Sequence, residues 1–208
     1  MTGSTDTSVS ILYEWDEALS QTASFRPAGS SVALIDWTIL PPPIDESVPD
    51  PVMRAIARTA ISMGKIAFRL FFKEALPTGV TAHPAPRAWI GKKVVERMTH
   101  TWPADIATAI TPEAAIDIFF QYWHLQAQTA LVLRTDSLSD KSMDQLRRVR
   151  DWRDLSFPAD AKLLIAPAAD GEGVLLAAAH AAELDVAVQA VARELRDAGV
   201  AVIIDGPV

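Results

Sequence analysis

PVMRAIARTAISMGKIAFRLFFKEA, residues 51–75, carries most of the weight in assigning a fold to this chain. Asp50 offers an N-cap oxygen and Pro51 suits the first helical position, so the pair marks a helix start. The charged residues that follow, Arg54, Arg58, Lys65, Arg69 and Lys73, are spaced 4, 7, 4 and 4. At the pitch of an α-helix all five fall within about 100° of arc. The rest of the circumference is apolar, with Met53, Ile56, Ala60, Ile61, Phe68 and Phe71 among its residues. The spacing predicts one helix over 52–75, central to the domain, with a basic stripe along it.

Upstream, β-branched and aromatic residues concentrate in Val9–Trp15 and Val32–Leu40, which read as two short strands separated by Pro27, Gly29, Ser30 and Ser31. Residues 1–8 are small and polar and read as a disordered tail, leaving 9–208 as a single globular domain. Pro41-Pro42-Pro43 ends the second strand, because proline donates no backbone hydrogen bond. Downstream, three prolines and a glycine between Pro77 and Pro86 predict an ordered, lid-like loop that contains His83. A helix over about 87–100 is stopped by Pro103. Thr111-Pro112-Glu113 opens another, read as running over 112–133, and Ser139 or Asp140 caps a shorter one reaching about Trp152.

The last fifty residues read as a strand over Lys162–Ala166, an Ala-rich helix over Ala182–Ala198 closed by Gly199, and a buried strand over Val200–Ile204. Asp170-Gly171-Glu172-Gly173 fits either a hairpin into a strand at Val174–Ala179 or the opening of one long helix; the alanines favour the helix. A strand, helix and strand in this order make a parallel crossover. The sequence shows no internal repeat. Together these elements imply an α+β fold, a single helix-rich domain with four or five helices around a small sheet that includes the C-terminal strands.

Composition narrows the chemistry. The 208 residues are 50% hydrophobic and 22% charged, in the range of compact domains, and there is no cysteine. Disulfides, thiolate nucleophiles and Cys-based metal sites are excluded. The net charge of −7 speaks against a general affinity for nucleic acid. It is unevenly spread: residues 1–51 carry −7, residues 52–104 carry +7, and residues 105–208 carry −7. The longest stretch free of charged residues, Ile118–Leu133, has 16 residues against the roughly 20 a spanning helix requires. With no basic, apolar leader at the start, a soluble cytoplasmic protein is expected.

Neither GxxxxGK[ST] nor GxGxxG occurs, and GxSxG and HExxH are absent. His83, His100, His124 and His180 are dispersed, so neither a metal nor a cofactor is expected. The most specific feature is the basic stripe of Arg54, Arg58, Lys65, Arg69 and Lys73. It suggests a non-catalytic binding or interaction protein engaging an acidic protein partner or an anionic small molecule, with a homo-oligomer compatible with the same sequence. The alternative is a small-molecule enzyme with a pocket between helices 52–75 and 112–133. There the arginines would hold an anionic substrate, His124 would act as acid or base, and Asp117, Gln121 and Gln128 would line the same helical stripe.

Overall fold

A computed structural model describes residues 8–13, 30–36, 51–70, 78–83, 105–109, 111, 113–115, 130–135, 138–148, 156–167 and 173–206. Among the described residues nine strands form one sheet: β1 (Ser8–Tyr13), β2 (Ser31–Asp36), β3 (Ile66–Leu70), β4 (Val80–His83), β5 (Asp105–Ala109), β6 (Ala130–Leu133), β7 (Ala161–Pro167), β8 (Gly173–Ala178) and β9 (Ala201–Asp205). Helices α1 (Pro51–Met63), α2 (Asp140–Arg148) and α3 (Ala181–Asp197) pack on it. The spatial order is β4-β5-β3-β6-β7-β8-β2-β1-β9. Every neighbouring pair is antiparallel except β1 and β9, which run parallel.

The expected helix-rich domain with a small sheet is therefore incorrect: 43% of the described residues are in strands and 38% in helices. The decisive stretch divides in two. The helix expected over 52–75 ends at Met63, and Ile66–Leu70 is strand β3, paired on both sides. Ile66 and Phe68 enter one core layer while Ala67 enters the other, so β3 is buried on both faces. Such a strand shows no polar alternation, and its apolar run matches a buried helix equally well. The helix expected over 112–133 fails for the same reason at its end, where Ala130–Leu133 is the fully buried strand β6. Val174, on which a helix was favoured, lies in β8, whose six residues are all buried.

Each face of the sheet has its own layer. On one, α1 and α3 pack together over Val9, Ile11, Ala33, Ile35, Ile66, Phe68, Val132, Leu163, Ile165, Val174 and Leu176. On the other, Leu146 of α2 joins Leu138 and Phe157 over Ala67, Ile106, Leu131, Leu164 and Leu175. The pairings also give the strand directions. β2 and β3, joined by α1, run the same way, and so do β8 and β9, joined by α3. The parallel crossover expected from the strand at 162–166 is not formed, since β7 runs opposite to β9; the crossover starts instead from β8, with β2 and β1 between its strands. Segments β1-β2-α1-β3 and β7-β8-α3-β9 thus share one topology about the central β2–β8 pair. They differ in that β6 stands between β7 and β3, whereas β9 lies directly against β1.

Candidate functional site

The five cations of the expected stripe do not share a helix. Arg54 and Arg58 lie on α1, Lys65 follows Gly64 in the turn, and Arg69 is on β3, on the sheet face away from α1. Lys73 lies outside the described residues, as do Asp117, Gln121, His124 and Gln128. Arg58 has its own counter-charge, 3.5 Å from Glu194 of α3. Ser62 and Lys65 have the Ser-x-x-Lys spacing of some acyl-transfer nucleophiles. Here the Ser62 hydroxyl donates to the Thr59 carbonyl at 2.7 Å, closing the last turn of α1.

A more concentrated polar group lies beneath α2, at the β4-β5-β3 end of the sheet. Cross-strand partners point to the same side, and the register aligns Arg69 with Ile106 and Ile106 with His83. The next row aligns Ala67, Thr108 and Thr81. Arg69, His83 and Thr108 therefore rise from one face, the face that α2 covers. His83 Nε2 is 3.3 Å from the hydroxyl of Thr108, which is 5% exposed. From above, Arg147 of α2 donates through Nη2 to the His83 carbonyl at 3.5 Å. Its Nη1 lies 3.7 Å from Asp144, whose side chain is 57% exposed. Arg147 itself is 8% exposed. A cation at that depth within an apolar layer carries a desolvation cost that its polar contacts must offset.

The helix carrying Arg147 is fixed by a polar clamp. Ser139 is its N-cap: its hydroxyl accepts from the Ser142 amide at 3.2 Å, and its carbonyl accepts from the Met143 amide. Asp160, in the turn before β7, then holds the cap. Its Oδ2 accepts from the Ser139 hydroxyl, from the Ser142 hydroxyl at 2.6 Å and from the Ser139 amide at 3.1 Å. These donors, the Ser139 hydroxyl foremost, hold the Asp160 carboxyl below the usual carboxylate range. Nearby, Arg134 makes a paired contact with Glu183 in the first turn of α3, which lowers the Glu183 pKa.

Arg147 and His83 were not singled out by the sequence reading. Arg147 sits in a run with Arg148, Arg150 and Arg153, interleaved with Asp144, Asp151 and Asp154, which reads as an exposed, salt-bridged helix. His83 falls in a proline-rich segment expected to be a loop. The one available signal was the i, i+4 spacing of Arg147 from Met143, which turns it toward the apolar side of α2.

No protein family, characterised protein or solved structure matches this chain. Among the described residues, no helix is long and apolar enough to cross a membrane, and no group of three or more His, Asp or Glu is placed to hold a metal ion.

Proposed function

We propose that the protein is a soluble, cytoplasmic, non-catalytic binding protein that takes an anionic group against the sheet face beneath α2. The carboxylates of an acidic protein partner and the oxygens of an anionic small molecule present the same chemistry there. The observation that carries this reading is the placement of two guanidinium groups, Arg69 and Arg147, on the same covered face as the His83 imidazole and the Thr108 hydroxyl. Guanidinium provides a planar fork of donors suited to carboxylate or phosphate, and in a partly dry layer such contacts outweigh those of an exposed lysine. His83 and Thr108 add orientation.

Calorimetric titration with inorganic phosphate and with a short polyglutamate peptide tests the reading. Arg147→Met removes the charge while keeping the length and apolar stem of the side chain, and thermal melting verifies folding. The expected result is saturable binding of at least one probe, weakened about tenfold or more in Arg147→Met, the usual scale for losing a charge-assisted contact. Arg58→Ala, on the other face, leaves binding unchanged. Equal affinity in wild type and Arg147→Met, or no binding of either probe, overturns the assignment.

A further inference from the structure

We propose that the free edge of β9 is a homodimer interface, across which two copies of the chain pair their β9 strands antiparallel and join their sheets. Among the described residues β9 is hydrogen-bonded only to β1, and it is the last strand in the sheet order. An edge strand presents a row of backbone donors and acceptors to any extended chain, and monomeric proteins blunt it with lysine, proline or a bulge. β9 reads Ala201-Val202-Ile203-Ile204-Asp205, with no lysine and no proline, in continuous register with β1. Val202 and Ile204 turn toward the α1–α3 layer, whereas Ile203 points to the other face and is 58% exposed. The opposite edge, β4, has exposed Thr81 and Ala82 at its centre and lacks this run of branched apolar side chains.

The occupant is identified as a second copy by the charges on α3. Asp185 and Glu194 are nine residues apart, which places them on opposite sides of the helix. Glu194 meets Arg58 of α1, so that side faces inward. Asp185 accepts a 2.7 Å hydrogen bond from the hydroxyl of Tyr13 on β1, so its side faces the β1–β9 edge. Asp185, Gln189 and Arg196 are spaced 4 and 7 and form one stripe along this outer side. The stripe is acidic in its N-terminal half and basic in its C-terminal half. A two-fold axis perpendicular to the sheet at β9 sets α3 antiparallel to its copy, so Asp185 of each chain comes toward Arg196 of the other. The same axis through Ile203 pairs that residue with its own copy, covering both exposed side chains. Asp185 and Arg196 are about 17 Å apart along α3, close to the roughly 17 Å length of a five-residue strand, so both layers accommodate one axis. A self-complementary surface of this kind generates a closed dimer.

Sedimentation equilibrium of the full chain from about 1 to 100 µM, the range over which modest interfaces assemble, tests the proposal. Wild type should show a monomer–dimer equilibrium. Ile203→Lys, which places an ammonium at the centre of the edge, should raise the dissociation constant at least about tenfold. Arg196→Glu should weaken the dimer by a smaller factor, and less so in high salt. Ile203→Thr retains strand propensity and serves where Ile203→Lys lowers the melting temperature; it should weaken the dimer too. A wild-type mass that stays monomeric throughout, or a dimer that folded Ile203→Thr and Arg196→Glu leave unchanged, overturns it.

Discussion

Substituting Gly64 by alanine tests the central claim of the fold, that the chain after α1 turns into β3 beside β6. Gly64 closes α1 by donating its backbone N–H to the Ala60 carbonyl at 3.1 Å, and the Leu133 N–H donates to the Lys65 carbonyl at 2.8 Å. A Cβ on Gly64 would lie 2.4 Å from the Leu133 carbonyl oxygen, against the roughly 3.3 Å at which carbon and oxygen normally meet. The obstacle is backbone, so the turn or β6 must move by about 0.9 Å. Overpacking of this kind costs about 1–3 kcal/mol, and the stiffer unfolded chain returns about 0.4–1 kcal/mol. The expected net loss is about 1–2 kcal/mol, or about 2–8 °C in Tm for a chain of this size. Gly199, after α3, is the control. It has φ +81° with nothing within 4 Å of a built Cβ, so alanine costs there about 1 kcal/mol of backbone strain. Asparagine tolerates that conformation and should recover part of the loss at 199, but none at 64. Thermal melts of Gly64→Ala, Gly64→Asn, Gly199→Ala and Gly199→Asn separate the two causes. A Gly64→Ala protein as stable as wild type would show that β6 does not press against this turn, and the β3–β6 pairing would have to be abandoned.

The clamp on α2 predicts a pH effect of defined sign. Asp160 has a depressed folded pKa, so its contribution is fully present above the ordinary carboxylate range and is lost as pH falls from there through its lower folded value; Asp160→Asn should be destabilised at pH 7 and less acid-sensitive below about pH 4, as urea melts across pH will show. Ser139→Ala removes the helix cap and should cost about 1 kcal/mol in the same melts. Arg134→Ala should cost no more than about 1 kcal/mol, because both members of the Arg134–Glu183 pair are partly exposed, and the loss should shrink in high salt.

The parts of this fold legible in the sequence are those where one face differs from the other or where caps mark the ends. Ala182–Ala198 was placed within one residue at each end because its apolar stripe has helical period and Gly199 stops it. The strands at 9–15, 32–40, 162–166 and 200–204 were recognised from branched residues and bounding turns; residues 14–15 and 37–40 lie outside the described residues, and elsewhere the ends fall within one residue. Strands β3, β5 and β6 escaped, and β8 was placed second to a helix; all are buried on both faces, and there apolar content carries no period to read. β4 escaped for another reason: prolines at 77, 84 and 86 bracket it and made the whole stretch resemble a loop. The misreading of β3 moved the site as well. Arg69 followed Lys65 on an imagined helix stripe, whereas period two sets it beside Ile106 and His83 on the sheet.

The sheet order also bears on whether the two proposed surfaces influence each other. His83 lies on β4 and Ile203 on β9, at opposite ends of nine strands. Eight inter-strand steps of about 4.8 Å separate them by about 38 Å. Their side chains belong to different surroundings: Arg147 reaches from α2 to the His83 carbonyl above Thr108, whereas the Asp185–Arg196 stripe lies on α3 across the sheet. Sites so far apart, with no shared partner, add independently to within about 0.5 kcal/mol. Ile203→Lys should therefore leave anion affinity unchanged within about a factor of two, and Arg147→Met should leave the monomer–dimer equilibrium equally untouched. The double variant should show both losses, each at its single-variant size, by calorimetry and sedimentation on the same sample. A tenfold change in anion affinity on forcing the monomer would mean that the sheet transmits strain from edge to edge, and the site would then have to be described as a property of the dimer.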